Sequence, residues 1–214
     1  MSTSLNDRDA VRGFVDDSLT YGGLVVIPGL FGGALLGERL LRIYGPEFTQ
    51  GATVFVLLIA ASLLYGYQKQ LMNALNAVDR PDIAFRINAA FIVTNVVLNI
   101  ALIATLGFVG AAIATAISAG VGLALSFGAL RSIVPFPVPA GEIARQFLAA
   151  LSMSAVVYAG LLAVAAAGVT HNVAIVLTLV AVGAGVYFLA LLTLSATFRA
   201  TVRANSPVRL PLVG

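Results

Sequence analysis

A charge-free stretch of 44 residues, Ile87 to Leu130, lies in the middle of the chain. It is too long for one membrane-spanning helix, which needs roughly 20 residues, and long enough for two. Its centre, Thr105 to Gly110, has the sequence TLGFVG, and its two glycines predict a tight turn. The pattern therefore predicts a hairpin of two apolar helices.

The two limbs of this hairpin carry different polar patterns. In the first limb, Asn88, Asn95 and Asn99 are spaced by seven and four residues, which places all three amides near one helical face. We expect that face to line a polar space, although hydrogen bonds between helices would satisfy the amides equally well. The second limb has a small residue at every fourth position, which predicts close packing against another helix; these residues are Gly110, Ala114, Ser118, Gly122 and Ser126.

The same length criterion divides the whole chain into six membrane spans. A soluble lead-in, residues 1–18, and a polar tail, residues 196–214, flank a transmembrane region, residues 19–195. The predicted spans are residues 21–41, 52–73, 87–106, 109–130, 145–167 and 172–194.

The first span contains a proline inside its apolar run. Pro28 has no amide hydrogen, so it leaves a helical carbonyl without a partner and predicts a kink that can act as a hinge. Three glycines at GxxxG spacing follow it and predict a packing face; they are Gly29, Gly33 and Gly37.

Composition supports the membrane assignment and excludes several functions. The chain is 60% hydrophobic and 10% charged, with a mean hydropathy of +1.01, which indicates an all-α polytopic membrane protein. The absence of cysteine and the single histidine leave no basis for a metal site or a cofactor. The basic residues end apolar segments and form no aromatic-rich cluster, so we do not expect nucleic-acid binding.

The distribution of positive charge predicts the topology. With six spans, both termini lie on the same side, and cations concentrate on the cytoplasmic side of a membrane. Only Arg39 and Arg42 fall on the opposite side from the termini. The ten cations on the terminal side, which place both termini in the cytoplasm, are Arg8, Arg12, Lys69, Arg80, Arg86, Arg131, Arg145, Arg199, Arg203 and Arg209.

The candidate chemistry is uncharged or cationic. No GxxxxGK[ST] loop occurs, and all nine acidic residues lie in the lead-in, in connectors or at helix ends, so neither ATP hydrolysis nor catalysis by paired carboxylates is expected. The polar groups that remain suit an anionic, hydroxyl-rich ligand. The cavity candidates are Gln68, Lys69, Asn76, Arg86, Asn88, Asn95 and Asn99.

Two of these candidates have an alternative interpretation. Lys69 lies about one turn from the end of its span, so its ammonium group can also reach the interface along its aliphatic stem. Arg86 lies at the start of the following span, a typical position for an interfacial anchor.

Three strings of the sequence resemble one family of membrane transporters. They are LLRIYGPEF (Leu40 to Phe48), NALNAVDRP (Asn73 to Pro81) and NVVLNIALIATLGFVGAAIATAIS (Asn95 to Ser118). With them the chain resembles, over about residues 18–195, the C-terminal half of the multidrug/oligosaccharidyl-lipid/polysaccharide flippase superfamily. It is most similar to the polysaccharide-export flippases.

The resemblance implies that the six spans form one lobe of a two-lobed flippase. Rocking of two such lobes would move a lipid-linked oligosaccharide across the plasma membrane for glycan biosynthesis, with Lys69 and Arg86 near its anionic group. The expected partners are the bilayer, the lipid-linked glycan, and a missing N-terminal lobe or a second copy of this chain. We expect the lone monomer to be inactive. The alternatives are half of a cation-coupled drug exporter and a non-transporting membrane scaffold.

Overall fold

The computed structural model of the protein describes residues 5–205, with side chains from residue 10 onward. Every regular element in this part of the chain is helical, so the predicted all-α fold is confirmed. A 3-10 helix, Pro46–Gly51, precedes the third α-helix. The α-helices are α1 (Leu5–Gly22), α2 (Val26–Leu41), α3 (Ala52–Ala77), α4 (Pro81–Ile133), α5 (Ala140–Ala166), α6 (Asn172–Leu194) and α7 (Ala196–Asn205).

Five helical stretches among the described residues are long and apolar enough to cross a membrane. The third of them, Pro81–Ile133, has 53 residues, far more than the roughly 20 that one crossing requires. The described chain is therefore that of a multi-pass membrane protein. The five stretches are Ala10–Leu41, Pro46–Ala77, Pro81–Ile133, Ala140–Ala166 and Asn172–Leu194.

Helix α4 is bent into two limbs at the predicted turn. Gly107 has φ 57° and ψ −139°, a conformation open almost only to glycine. A Cβ added at Gly110 would collide with the backbone carbonyl of Leu102. In a straight helix these two residues would lie about 12 Å apart along the axis, so the chain folds back sharply at Gly107. We call residues 81–106 the first limb and residues 108–133 the second limb.

The described residues divide into two compact units. The first contains the residues up to Val26 and the segment Gln50–Pro139, which includes α1, α3 and both limbs of α4. The second contains Ile27–Thr49 and the residues from Ala140 onward, which include α5, α6, α7 and nearly all of α2.

The core of the first unit includes a part of the predicted lead-in. Val11, Val15 and Leu19 recur every four residues along α1, and all three are buried. They pack in one cluster with apolar residues of α3, such as Leu71, and of the second limb, such as Leu130. Arg12 also donates a hydrogen bond from Nε to the carbonyl oxygen of Pro135, 2.9 Å away. The expectation of a soluble lead-in did not anticipate this packing.

Helix α3 contacts both limbs of α4. The ring centres of Tyr65 on α3 and Phe91 on the first limb are 5.8 Å apart. On the second limb, a Cβ added at Gly120 would lie 3.9 Å from Cδ1 of Leu64. The two limbs therefore pack on different sides of one helix.

In the second unit, α5 and α6 pack closely and α2 joins α5. A Cβ added at Gly183 of α6 would lie 3.0 Å from Val157 Cγ2 of α5. The rings of Phe31 on α2 and Phe147 on α5 meet edge to face at 5.9 Å. Such close helix contacts at glycine are typical of membrane proteins.

The residues around Pro28 form a break between helices. Helix α1 ends at Gly22 and α2 begins at Val26, so Pro28 is the third residue of α2. The first four amide groups of a helix have no intrahelical partner, and a proline there removes no hydrogen bond. The interruption thus precedes Pro28, at residues 23–25. The role of Pro28 as a hinge stays a prediction.

Candidate functional site

The candidate site lies in the first unit, where α3 contacts the first limb of α4. The tilted ring pair of Tyr65 and Phe91 marks this contact. Lys69 follows Tyr65 by one helical turn, so it shares the Tyr65 face of α3. Asn88 precedes Phe91 by three residues and Asn95 follows it by four, so both share its face of the first limb. The aromatic pair thus joins a cationic face to an amide face.

Two of the predicted amides form a pair along the first limb. Nδ2 of Asn99 donates to the backbone carbonyl of Asn95, 2.8 Å away, and to its Oδ1, 3.0 Å away. Both residues are half-buried. Within the part of the chain that the structure describes, the Nδ2 group of Asn95 donates no hydrogen bond. This amide donor on a membrane helix therefore remains available to a ligand. Without a ligand it stays unpaired, which is costly in a membrane.

Four further cavity candidates are exposed. Lys69 and Asn76 on α3, and Arg86 and Asn88 on the first limb, are all exposed. Among residues 10–205, neither Lys69 nor Arg86 forms an ion pair with a carboxylate. Both cations are therefore open to an anionic group.

Gln68 is placed differently from the other candidates. Its side chain is 2% exposed and packs against Gly122 of the second limb. Its Oε1 atom is buried and has no hydrogen-bond partner. This position favours a role in helix packing, while its role in lining a cavity stays a prediction.

The predicted small-residue faces differ between the two units. On the second limb, Gly110, Ala114, Ser118 and Gly122 are all buried. Ser118 satisfies its hydroxyl group within the helix, because Oγ donates to the carbonyl of Ala114 at 2.7 Å. On α2 the three glycines become less exposed along the helix: Gly29 is exposed, Gly33 is half-buried and Gly37 is buried.

Sequence reasoning missed Phe91 and two polar links of the second unit. The position of Phe91 between Asn88 and Asn95 was a usable signal, because the helical period places all three on one face. The links join residues that are far apart in sequence and carried no signal. Asn172 Nδ2 donates to the carbonyl of Arg39 at 2.6 Å, and Ser195 Oγ donates to Glu142 Oε2 at 2.6 Å.

The described residues offer no metal-binding cluster. In this part of the chain, no three His, Cys, Asp or Glu side chains come together. The polar groups of the candidate site are amides and cations, which are poor ligands for a divalent metal ion. The site suits instead an elongated ligand with an anionic group and hydrogen-bonding hydroxyl groups.

The fold and this site define an all-α, multi-pass membrane protein with a cationic and amide-bearing face. The sequence is 38% identical over 207 residues to the "Probable flippase AglR" of Haloferax volcanii, an alignment that covers 94% of this chain and 43% of that protein. It is 30% identical over 157 residues to the "Probable low-salt glycan biosynthesis flippase Agl15" of the same organism, covering 73% of this chain and 33% of that protein. Both names describe transporters rather than enzymes.

Solved structures extend the comparison to the fold. The chain superposes on "Lipid II flippase MurJ, inward closed conformation" with a TM-score of 0.75 at 20% sequence identity, covering 92% of this chain and 41% of that chain. No family model matches the sequence. The predicted resemblance to flippases is confirmed. The chain spans less than half the length of each of these three proteins.

Proposed function

We propose that this chain is the C-terminal lobe of a flippase that moves a lipid-linked oligosaccharide across the plasma membrane. The observation that carries the proposal is the face built on α3 and the first limb of α4. It combines Lys69, which has no acidic partner among residues 10–205, with the amide of Asn95. Arg86 precedes Phe91 by five residues, so it lies about 140° around the first limb from this face and near its cytoplasmic end. A lipid-linked glycan presents the complementary groups, a phosphate and a set of hydroxyls.

The coverage of the relatives supports the need for a partner. Because this chain matches only 43% of AglR, a complete transporter of that kind requires further helices. Alternating access in such proteins moves one bundle of helices against another. A separate N-terminal lobe or a second copy of this chain would supply the second bundle.

The topology follows from the distribution of positive charge. Ten cations on the terminal side against two on the other place both termini in the cytoplasm. Arg86 lies near the start of the first limb and Lys69 in the later part of α3. Both cations are thereby near the cytoplasmic side, where the phosphate of a lipid-linked glycan would enter. Rocking at the interruption before Pro28 would then expose the face to the other side.

A chimera provides the direct test. This chain replaces the segment of AglR that it matches, and the chimera is reconstituted in vesicles with a fluorescent lipid-linked oligosaccharide. We expect the chimera to move the glycan to the opposite leaflet, and this chain alone to move none. Absence of movement in the correctly inserted chimera would refute the proposal. Proton-dependent dye efflux in its place would assign the chain to a drug exporter.

Single substitutions then test the face within the same chimera. Lys69→Met should reduce the transport rate about tenfold, because a charge-assisted hydrogen bond to the phosphate is lost. Arg131→Gln is the matched control, since Arg131 is also an exposed cation. It lies on the second limb, where its guanidinium is 5.5 Å from the ring centre of Phe127, and not on the candidate face. A scaffold without transport would lose assembly when Asn95 and Asn99 are replaced by leucine. A transporter would stay folded and lose ligand binding.

A further inference from the structure

We propose that Tyr65 and Phe91 form a stacking platform for a sugar ring, with the free amide donor of Asn95 beside it. The inference rests on the proposed function, because it assigns a position to the glycan on the same face. It adds a binding role for two aromatic residues, neither of which was among the candidate residues of the sequence.

The geometry of the pair leaves ring surface available. The ring centres of Tyr65 and Phe91 are 5.8 Å apart and the planes are inclined by 41°, so the rings do not cover each other. Tyr65 is 48% exposed and Phe91 is half-buried. Asn95 lies one turn beyond Phe91, and its Nδ2 group donates no hydrogen bond within the described residues. The platform therefore has an apolar surface with a polar edge.

This combination matches a sugar better than it matches a hydrocarbon tail. A pyranose ring has an apolar face of C–H groups and hydroxyl groups at its rim. The π face of an aromatic ring is negative and attracts the polarised C–H groups, while an amide donates to a hydroxyl oxygen. A lipid chain cannot accept the hydrogen bond, so the amide would remain unsatisfied against it.

The register along α3 also suits the anionic group of the ligand. Lys69 follows Tyr65 by four residues, about 6 Å along the helix axis. A sugar joined directly to a phosphate spans a comparable distance. With the sugar on Tyr65 and Phe91, the phosphate reaches the level of Lys69.

The absence of tryptophan from the chain allows a clean fluorescence test. Phe91→Trp keeps an aromatic platform and adds one reporter, and Phe85→Trp is the control. Phe85 is 74% exposed on the same limb, and six residues of helix turn it about 120° away from Phe91. The protein in lipid nanodiscs is titrated with a farnesyl-diphosphate-linked disaccharide and with farnesyl diphosphate. We expect only the disaccharide probe to shift the emission of the indole introduced at position 91, and the two probes to give the same emission at position 85.

Affinity measurements on leucine variants complete the test. Tyr65→Leu and Phe91→Leu should each weaken binding of the disaccharide probe about tenfold and leave farnesyl diphosphate binding unchanged, whereas Phe85→Leu should alter neither. Equal losses for both probes, or no loss for the disaccharide probe, would overturn the platform while the proposed function stands. If the unmodified chain binds neither probe, the platform fails, whereas the proposed function is decided separately by glycan transport in the chimera.

Discussion

Gly122 of the second limb packs directly against the side-chain amide of Gln68 on α3. A Cβ added at Gly122 would lie 2.5 Å from both Cδ and Oε1 of Gln68, closer than non-bonded atoms approach. The amide is 2% exposed, so it has little room to move away. This contact sets how closely the two helices approach each other.

Replacing Gly122 by alanine should therefore destabilise the first unit. We expect the free energy of unfolding, measured by denaturant titration in detergent, to fall by about 1–3 kcal/mol because the new methyl group overpacks the contact. Gly128→Ala on the same limb is the control, since no atom lies within 4 Å of a Cβ added there. Equal stability of the two variants would show that the contact relaxes without cost.

Gln68 itself should tolerate an apolar substitution. Its Oε1 atom is buried without a hydrogen-bond partner. Gln68→Met keeps the volume and removes this unpaired acceptor, so we expect the free energy of unfolding to stay equal or to rise by about 1 kcal/mol. Gln68→Glu places a carboxylate at the same site and should lower the free energy by several times that amount. A similar loss in both variants would indicate that hydrogen bonds of the amide outweigh its burial.

The hairpin turn should depend on glycine at position 107. Its φ of 57° and ψ of −139° strain any residue with a Cβ, although no atom lies within 4 Å of a Cβ built there. We expect Gly107→Ala to cost about 1–3 kcal/mol through backbone strain alone. Gly185→Ala in α6 lacks both the strain and close neighbours, and should be neutral or stabilising. Comparable unfolding curves for the two variants would contradict the assigned turn.

Ser195 should control the order of the last described helix. Its Oγ accepts a hydrogen bond from the Phe198 amide at 2.9 Å, which caps α7, and donates to Glu142 Oε2. Ser195→Ala removes both links and should accelerate amide hydrogen exchange in α7 about fivefold, the effect of a cap worth about 1 kcal/mol. The control is Ser152→Ala, because the exposed Ser152 hydroxyl bonds only within its own helix. Unchanged exchange at Phe198 would argue against the cap.

Local patterns were sufficient for much of the fold. Helix formation and membrane insertion depend on the hydrophobicity of consecutive residues, which is a property of the sequence itself. The turn at Gly107 was also predictable, because only glycine adopts its backbone conformation without strain. Motif strings are also local properties of the sequence, and strings such as that of Asn95 to Ser118 carried enough information to indicate the similarity to flippases.

The detail of the site required the tertiary structure. Gln68 and Lys69 are adjacent in the polar part of α3, yet one is buried against Gly122 and the other is exposed. Helical periodicity places both on one broad face and cannot tell which side of that face a neighbouring helix covers.

The sequence by itself determined that the chain is helical, multi-pass and bent at Gly107, because each of these properties arises from interactions between near neighbours in the chain. Only the tertiary structure decided that Tyr65 meets Phe91 and that Val15 joins a helical core. These contacts join residues on different helices, and their formation depends on how whole helical surfaces fit together.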